Sequence, residues 1–319
     1  MPNRARSWSA CRNLGSLRAL AGCRKVRQVS IPVAPPLIDP GERSVARDAP
    51  VGLFDSGVGG LSVLREIHEL LPAESLLYLA DSAYAPYGGR GAAEIRARAM
   101  RITEALVARG VKAVVIACNT ATAVAAEQLR ASFTVPIVGM EPAIKPAAAV
   151  SRSGVIGVLA TQGTLASARF AGLLGRYAHG QQIITQPCPG LVEAVEAGRL
   201  DHPATGRLLD RYLAPVLAAG ADTIILGCTH YPFLAAQIRQ RVPASTHLID
   251  TGPAVARELQ RRLRARELLL RAGTGRVTAA TTGRVEDMRG FLERQGIPAT
   301  VLDSVDGAGG STALPLCPV

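Results

Sequence analysis

Two cysteines stand in matching surroundings. "AVVIACNTAT" places Cys118 after a run of β-branched apolar residues, and "TIILGCTHYP" does the same for Cys228. A single buried cysteine is ordinarily inert packing, so what matters is whether these two form a pair. Upstream of each lies a second matched stretch, "VGLFDSGVGGLSVL" and "GVIGVLATQGTLAS". Both show an apolar strand, a polar residue at its end (Asp55, Thr161), a Gly turn and a helix. Asp55 and Cys118 are separated by nearly the same length of chain as Thr161 and Cys228. The chain therefore reads as two similar units, each offering a thiol at the carboxyl end of a strand. In open α/β sheets that edge is where ligands bind.

Two thiols approaching one bound molecule from opposite sides suit one reaction well. One removes a proton from one face of a carbon, and the other returns a proton to the opposite face. A thiol near pKa ~8.5 is lowered further at a helix N-terminus, which favours the thiolate. Both cysteines are expected at strand-to-helix turns, where the amides of Asn119, Thr120 and Thr229 can hold a carboxylate. Inversion needs one thiolate and one thiol, and Asp55 and His230 are placed to set those states. Cys118, Cys228, His230 and Asp55 also form a conceivable zinc set. Zinc would tie up the thiolates, and no CxxC or HxxxH spacing supports it, so no metal is expected. "SGVGG" lacks both the GK[ST] ending and the GxGxxG spacing of a phosphate loop.

The elements that must position these groups alternate. Strands are predicted at 51–55, 76–81, 113–118, 136–140, 154–160, 182–187, 223–228 and 246–250. Helices are predicted at 59–71, 91–109, 120–132, 163–175, 203–219, 232–241 and 253–272. Continuous apolar strands alternating with helices predict an α/β protein with mainly parallel sheets. The duplication predicts two similar three-layer α/β domains related by a pseudo-two-fold, with the site in the cleft between them. "RRLRARELLLR" is expected to be one amphipathic helix with a basic outer face. Cys188, just before Pro189, is expected only to pack, and His68, His179, His202 and His247 to be ordinary histidines.

At this point the residues resemble a family. "GLFDSGVGGLSVL", "YLADSAYAPYGGRG", "VIACNTATA", "VPIVGMEPAIKPA", "GVLATQGT", "PGLVEAVEAG", "ILGCTHYPFL" and "IDTGPAVA" occur in the order found in glutamate racemases, cofactor-independent enzymes of the aspartate/glutamate racemase superfamily. The resemblance covers roughly residues 50 to 255. It implies Cys118 and Cys228 as the two catalytic acid/bases, with Asp55 and His230 assisting them and Glu196 beside the second thiol. It implies substrate contacts from Asp55–Ser56, Tyr87–Gly88, Asn119–Thr120 and Thr229–His230. It further implies a cytoplasmic homodimer that supplies D-glutamate for bacterial peptidoglycan. Related aspartate racemases usually carry Glu where this chain has His230; a racemase for aspartate or another amino acid is the alternative. The chain is expected to cross back after about 252, giving a first domain of 49–142 plus 253–300 and a second of 143–252. "AATTGRVEDMRGFLERQG" resembles the first domain's closing strand and helix. Glu193 stands where the family has proline.

Composition bounds the rest. The 319 residues suffice for two ordinary domains, and 48% hydrophobic with 19% charged is a globular mix. No apolar run approaches the ~18 residues of a membrane span, so no membrane association is expected. The six cysteines form no disulfide framework, and Cys11, Cys23 and Cys317 carry no functional argument. Of the +11 formal charge, seven charges sit on Arg4, Arg6, Arg12, Arg18, Arg24, Lys25 and Arg27, leaving +4 for everything after residue 30. Such basicity belongs to an arm and not to a groove, so a nucleic-acid partner is not expected of the body. Residues 1–48 are expected to form a basic, disordered extension with a Pro-rich linker, and 301–319 a Gly-rich tail. A nucleic-acid-binding or regulatory protein acting through the arm is the rival reading from another class.

Overall fold

A computed structural model describes residues 46–302. The expectations for the basic arm and linker up to residue 45 and for the Gly-rich tail from residue 303 lie outside the described residues, while Val301, expected to begin that tail, belongs to a strand. The described residues contain ten strands: β1 (Val51–Asp55), β2 (Leu76–Ala80), β3 (Ala113–Ile116), β4 (Ile137–Gly139), β5 (Val155–Ala160), β6 (Gln182–Pro187), β7 (Thr223–Leu226), β8 (His247–Ile249), β9 (Val277–Thr281) and β10 (Thr300–Val301). They form two sheets, ordered β10-β9-β2-β1-β3-β4 and β6-β5-β7-β8, with every pair parallel. The order β2-β1-β3-β4 repeats as β6-β5-β7-β8, which is the duplication read from the sequence.

Helices cover the sheets: α1 (Leu61–Leu70), α2 (Ala92–Ala108), α3 (Asn119–Ser132), α4 (Ile144–Val150), α5 (Gln162–Leu165), α6 (Ala168–Tyr177), α7 (Leu191–Glu196), α8 (Pro203–Ala218), α9 (Ala235–Arg239), α10 (Gly252–Ala265) and α11 (Val285–Arg294). The central strands β1 and β3 are buried along their whole length, as strands covered on both faces must be. α1 turns Leu61, Val63, Leu64 and Ile67 inward, and α10 turns Val255, Ala256, Leu259 and Leu263 inward while its arginines face outward. These two helices pack on each other, and β9 and β10, which follow β8, join the first sheet. Each of these Val, Leu and Ile side chains stabilises the fold by about 1.5–3 kcal/mol when fully buried. No described helix is long and apolar enough to cross a membrane.

Several element boundaries differ from expectation, each for a local reason. The helix expected over 253–272 stops at Ala265. Glu267 adopts φ +58, the left-handed conformation that ends helices, and Leu268 and Leu270 are held elsewhere. Buried Lys112 Nζ donates to the carbonyls of Arg47 and Leu268 and pairs with Glu74, whose Oε1 accepts from the Leu270 amide. The helix expected over 163–175 is two helices, because Thr161 and Ser167 each cap a new start. That over 232–241 is a 3₁₀ turn, Tyr231–Leu234, followed by the five-residue α9. α4, α7 and β10 were too short for periodicity to show. Strands expected to end at Cys118 and Cys228 end at Ile116 and Leu226, so both sulfurs lie just beyond the sheet edges.

Candidate active site

Strand order reverses on either side of β1 and β3 in the first sheet, and of β5 and β7 in the second. The carboxyl ends at such switch points form crevices. Asp55 ends β1, Cys118 follows β3, Thr161 follows β5 and Cys228 follows β7. Both cysteines line one enclosed pocket, together with Ser56, Tyr87, Gly88, Asn119, Thr120, Thr161, Val192, Thr229 and His230. The paired placement inferred from the repeat thus brings the two thiols to a common space.

On the first side, Asp55 is completely buried. Its Oδ1 accepts from the Ser56 amide at 2.7 Å, and its Oδ2 from the Gly60 amide at 2.6 Å and the Thr229 hydroxyl at 3.1 Å. The carboxylate therefore shapes the "SGVGG" turn and reaches across to the second half of the site. Burial raises its pKa, a shift opposed by the charge of His230 and the hydrogen bond with Cys118. Cys118 caps α3 by accepting from the Ala121 amide at 3.5 Å. The expectation that a helix N-terminus lowers this thiol does not hold. Burial pushes it well above the usual thiol value, the Asp55 charge pushes it further, and the Ala121 amide lowers it too little to win.

On the second side, Cys228 Sγ lies 3.6 Å from His230 Nδ1, and His230 Nε2 lies 2.6 Å from Glu196 Oε1. His230 is buried, which works against its charge, but the hydrogen bonds with Cys228 and Glu196 outweigh burial and raise its pKa well above 6.5. Cys228 is followed not by an α-helix but by a turn and the 3₁₀ helix Tyr231–Leu234, and its sulfur meets the His230 ring. Glu196, at the end of α7, also accepts from the Val58 amide at 2.8 Å. A Cβ at Gly57 would land on the Glu196 carboxylate, and one at Gly59 on the His230 ring. The glycines of the turn are required by this close approach and not by backbone conformation.

The other expected residues divide. Asn119 is 4% exposed, and neither its side-chain oxygen nor its nitrogen has a partner, a costly arrangement unless something else binds them. Thr120 Oγ1 lies 2.9 Å from Thr161 Oγ1, tying the two repeats together. Gly88 packs against Thr161 with no room for a Cβ. The Tyr87 hydroxyl does not point at the pocket: it donates to Asp81 Oδ2 at 2.5 Å. Asp81 is in turn held by Arg98 Nε and Nη2 and by Thr282, and the Arg98 guanidinium stacks 3.8 Å over the Tyr84 ring. Asp81, Arg98 and Thr161 were not foreseen as site residues. Thr161 carried a signal, its repeat position equivalent to Asp55, and Arg98 is a lone cation on the buried face of α2. Among the described residues, no group of three His, Cys, Asp or Glu side chains is arranged to hold a metal ion. A larger cavity of about 550 Å³, sharing Pro86, Gly88, Thr161 and Val192 with the pocket, adjoins it.

Known proteins supply a further comparison. Residues 51–259 match the model of the Asp/Glu/Hydantoin racemase family. A glutamate racemase of Ectopseudomonas mendocina is 60% identical over 245 residues, 76% of this chain and 93% of that protein. Among solved structures, glutamate racemase isoform RacE1 from Bacillus anthracis aligns with a TM-score of 0.75 and 32% identity, over 82% of this chain and 98% of its own. Escherichia coli glutamate racemase, in complex with L-glutamate and the activator UDP-MurNAc-Ala, aligns with a TM-score of 0.71 and 36% identity, over 80% and 97%.

Proposed function

The chain belongs to the Asp/Glu/Hydantoin racemase family, and we infer from that membership and its paired thiols that it interconverts L-glutamate and D-glutamate. The observation that carries this reading is that Cys118 and Cys228, from the two repeats, line the same pocket. In the proposed reaction one cysteine, as thiolate, takes the Cα proton. The other, as thiol, delivers a proton to the opposite face. The chemistry assigned to the sulfurs needs no cofactor.

Asp55 assists Cys118, while His230, held by Glu196, assists Cys228. Asn119, with the amides at the start of α3, receives a substrate carboxylate, which the unpartnered Asn119 amide supports. Ser56, Tyr87, Gly88, Thr120, Thr229 and His230 complete the walls, with Tyr87 acting through its ring and backbone since its hydroxyl is held by Asp81. We read the body as two domains, 49–142 plus 253–300 and 143–252, closing over the substrate. The product D-glutamate fits supply of bacterial peptidoglycan in the cytoplasm, with the protein acting as a homodimer.

Incubation of the purified protein with L-glutamate in D₂O should yield D-glutamate carrying deuterium at Cα, with far slower turnover of L-aspartate. Cys118→Ala and Cys228→Ala should each reduce racemisation by about 10²–10⁴-fold or more, the usual worth of a general acid or base. A single variant with full activity would overturn the two-thiol assignment.

A further inference from the structure

A two-base inversion leaves the protein in the wrong state to repeat itself. After one turnover the thiolate has become a thiol and the thiol a thiolate. Another turnover in the same direction requires a proton to travel from the first sulfur to the second. The sulfurs lie in an enclosed pocket and are 5% and 7% exposed, so bulk water has poor access to them.

Thr229 lies where the two half-sites meet. Its hydroxyl donates to Asp55 Oδ2 at 3.1 Å and stands 3.5 Å from His230 Nδ1. Cys118 Sγ lies 4.0 Å from the Ser56 hydroxyl, which donates to Asp55 Oδ1 at 3.3 Å, and the same His230 Nδ1 is 3.6 Å from Cys228 Sγ. Cys118, Ser56, Asp55, Thr229, His230 and Cys228 thus form a continuous run of proton-carrying groups, all buried. Contacts of 3.5–3.6 Å are of the kind that tighten when a site is loaded. The run passes through residues of the pocket wall, so in the free protein it needs no bound molecule to bridge the two sulfurs.

We propose that the Thr229 hydroxyl completes an internal proton relay that resets the two thiols between turnovers; this rests on the two-thiol reading above. To reset toward Cys118, His230 Nδ1 takes a proton from the Cys228 thiol and passes one to the Thr229 oxygen, the Thr229 hydroxyl gives its own to the Asp55 carboxylate, and the carboxyl so formed passes one through the Ser56 hydroxyl to the Cys118 thiolate. Each intervening group loses one proton and gains one. The net change is one proton moved from the Cys228 sulfur to the Cys118 sulfur, and one negative charge moved the other way. No electrons are exchanged. Running the steps in reverse resets the protein for the opposite direction. Glu196, on the far nitrogen of His230, keeps the ring oriented while Nδ1 exchanges its proton.

The test separates reset from chemistry. Racemisation is followed at rising total glutamate, near the equilibrium mixture, where reset of the free protein becomes limiting and the exchange rate falls as concentration rises. Thr229→Val, which removes the hydroxyl and keeps the shape, should slow reset by about 10²-fold or more, the scale of one lost proton-transfer group. The fall in rate should then begin at much lower glutamate than in the wild type, and Thr229→Ser should restore the wild-type dependence. A purely structural role would change KM or kcat without moving the onset of that fall. If the wild type and Thr229→Val show the same onset, the relay is overturned. A second measurement needs no variant: in the reset-limited regime the wild-type rate should be indifferent to buffer concentration, and acceleration by buffer would overturn the relay. If the wild-type protein does not racemise glutamate at all, it is the underlying reading that fails.

Discussion

At the level of single side chains, the Cys118 thiol is held up by burial first and by the Asp55 carboxylate second. Both effects disfavour its thiolate, so in the direction that starts with Cys118 as base, the acid limb of kcat/KM should lie above the ordinary thiol value of 9.0. Asp55→Asn removes the charge while keeping an oxygen for the Gly60 amide. Since the carboxylate raises the thiol, its removal should move that limb to lower pH even as kcat falls. A pH profile measured in both directions checks this, and an unmoved or alkaline-shifted limb would contradict the assignment. The sequence made the two thiols and Asp55 legible because they repeat. It did not show the sign of the Cys118 shift, because burial depth and the approach of a carboxylate are properties of the folded chain. Nor did it show that Tyr87 spends its hydroxyl on Asp81, since that bond depends on Arg98 from another element.

Among the elements, the decisive one is the turn between β1 and α1. It shapes the Cys118 side through Asp55 and reaches the second side through the Val58 amide on Glu196. Residues 138 positions apart meet there, which no local pattern in the sequence announces. The continuous apolar strands were legible because burial on both faces leaves an unbroken run. The short helices α5, α7 and α9 were not, because a helix of one or two turns carries too few residues to display a period. Gly57→Ala tests the turn. Its methyl would fall on the Glu196 carboxylate, and overpacking of that kind costs about 1–3 kcal/mol. If the strain falls on the site, kcat/KM should drop by about 10-fold or more. Gly89→Ala, where a Cβ meets nothing within 4 Å, should leave the rate unchanged. Equal rates for the two variants would mean that the turn does not carry the second side.

For the whole molecule, two copies of one strand order each put a cysteine just beyond a central strand, and a single pocket holds a sulfur from each. The duplication and the crossing back after β8 were readable, the first from motif spacing and the second only through resemblance. The clamp on the returning chain was not. Lys112 and Glu74 are both fully buried and paired at 2.5 Å, and between them they hold the backbone of Arg47, Leu268 and Leu270. Lys112→Met would leave Glu74 buried without its cation, so the unfolding free energy should fall by about 3–5 kcal/mol. Denaturant titration measures this, and a loss below about 1 kcal/mol would place the pair among ordinary surface ion pairs. The first sheet has one more consequence. β2 lies against β1 on one side and against β9 on the other. During synthesis its second side therefore stays open until residues 277–281 have left the ribosome, whereas every strand of the other sheet is already complete by Ile249. The later half of the duplication is thus the first able to finish folding, and the earlier half waits with a bare edge, the feature of nascent chains most prone to mispairing.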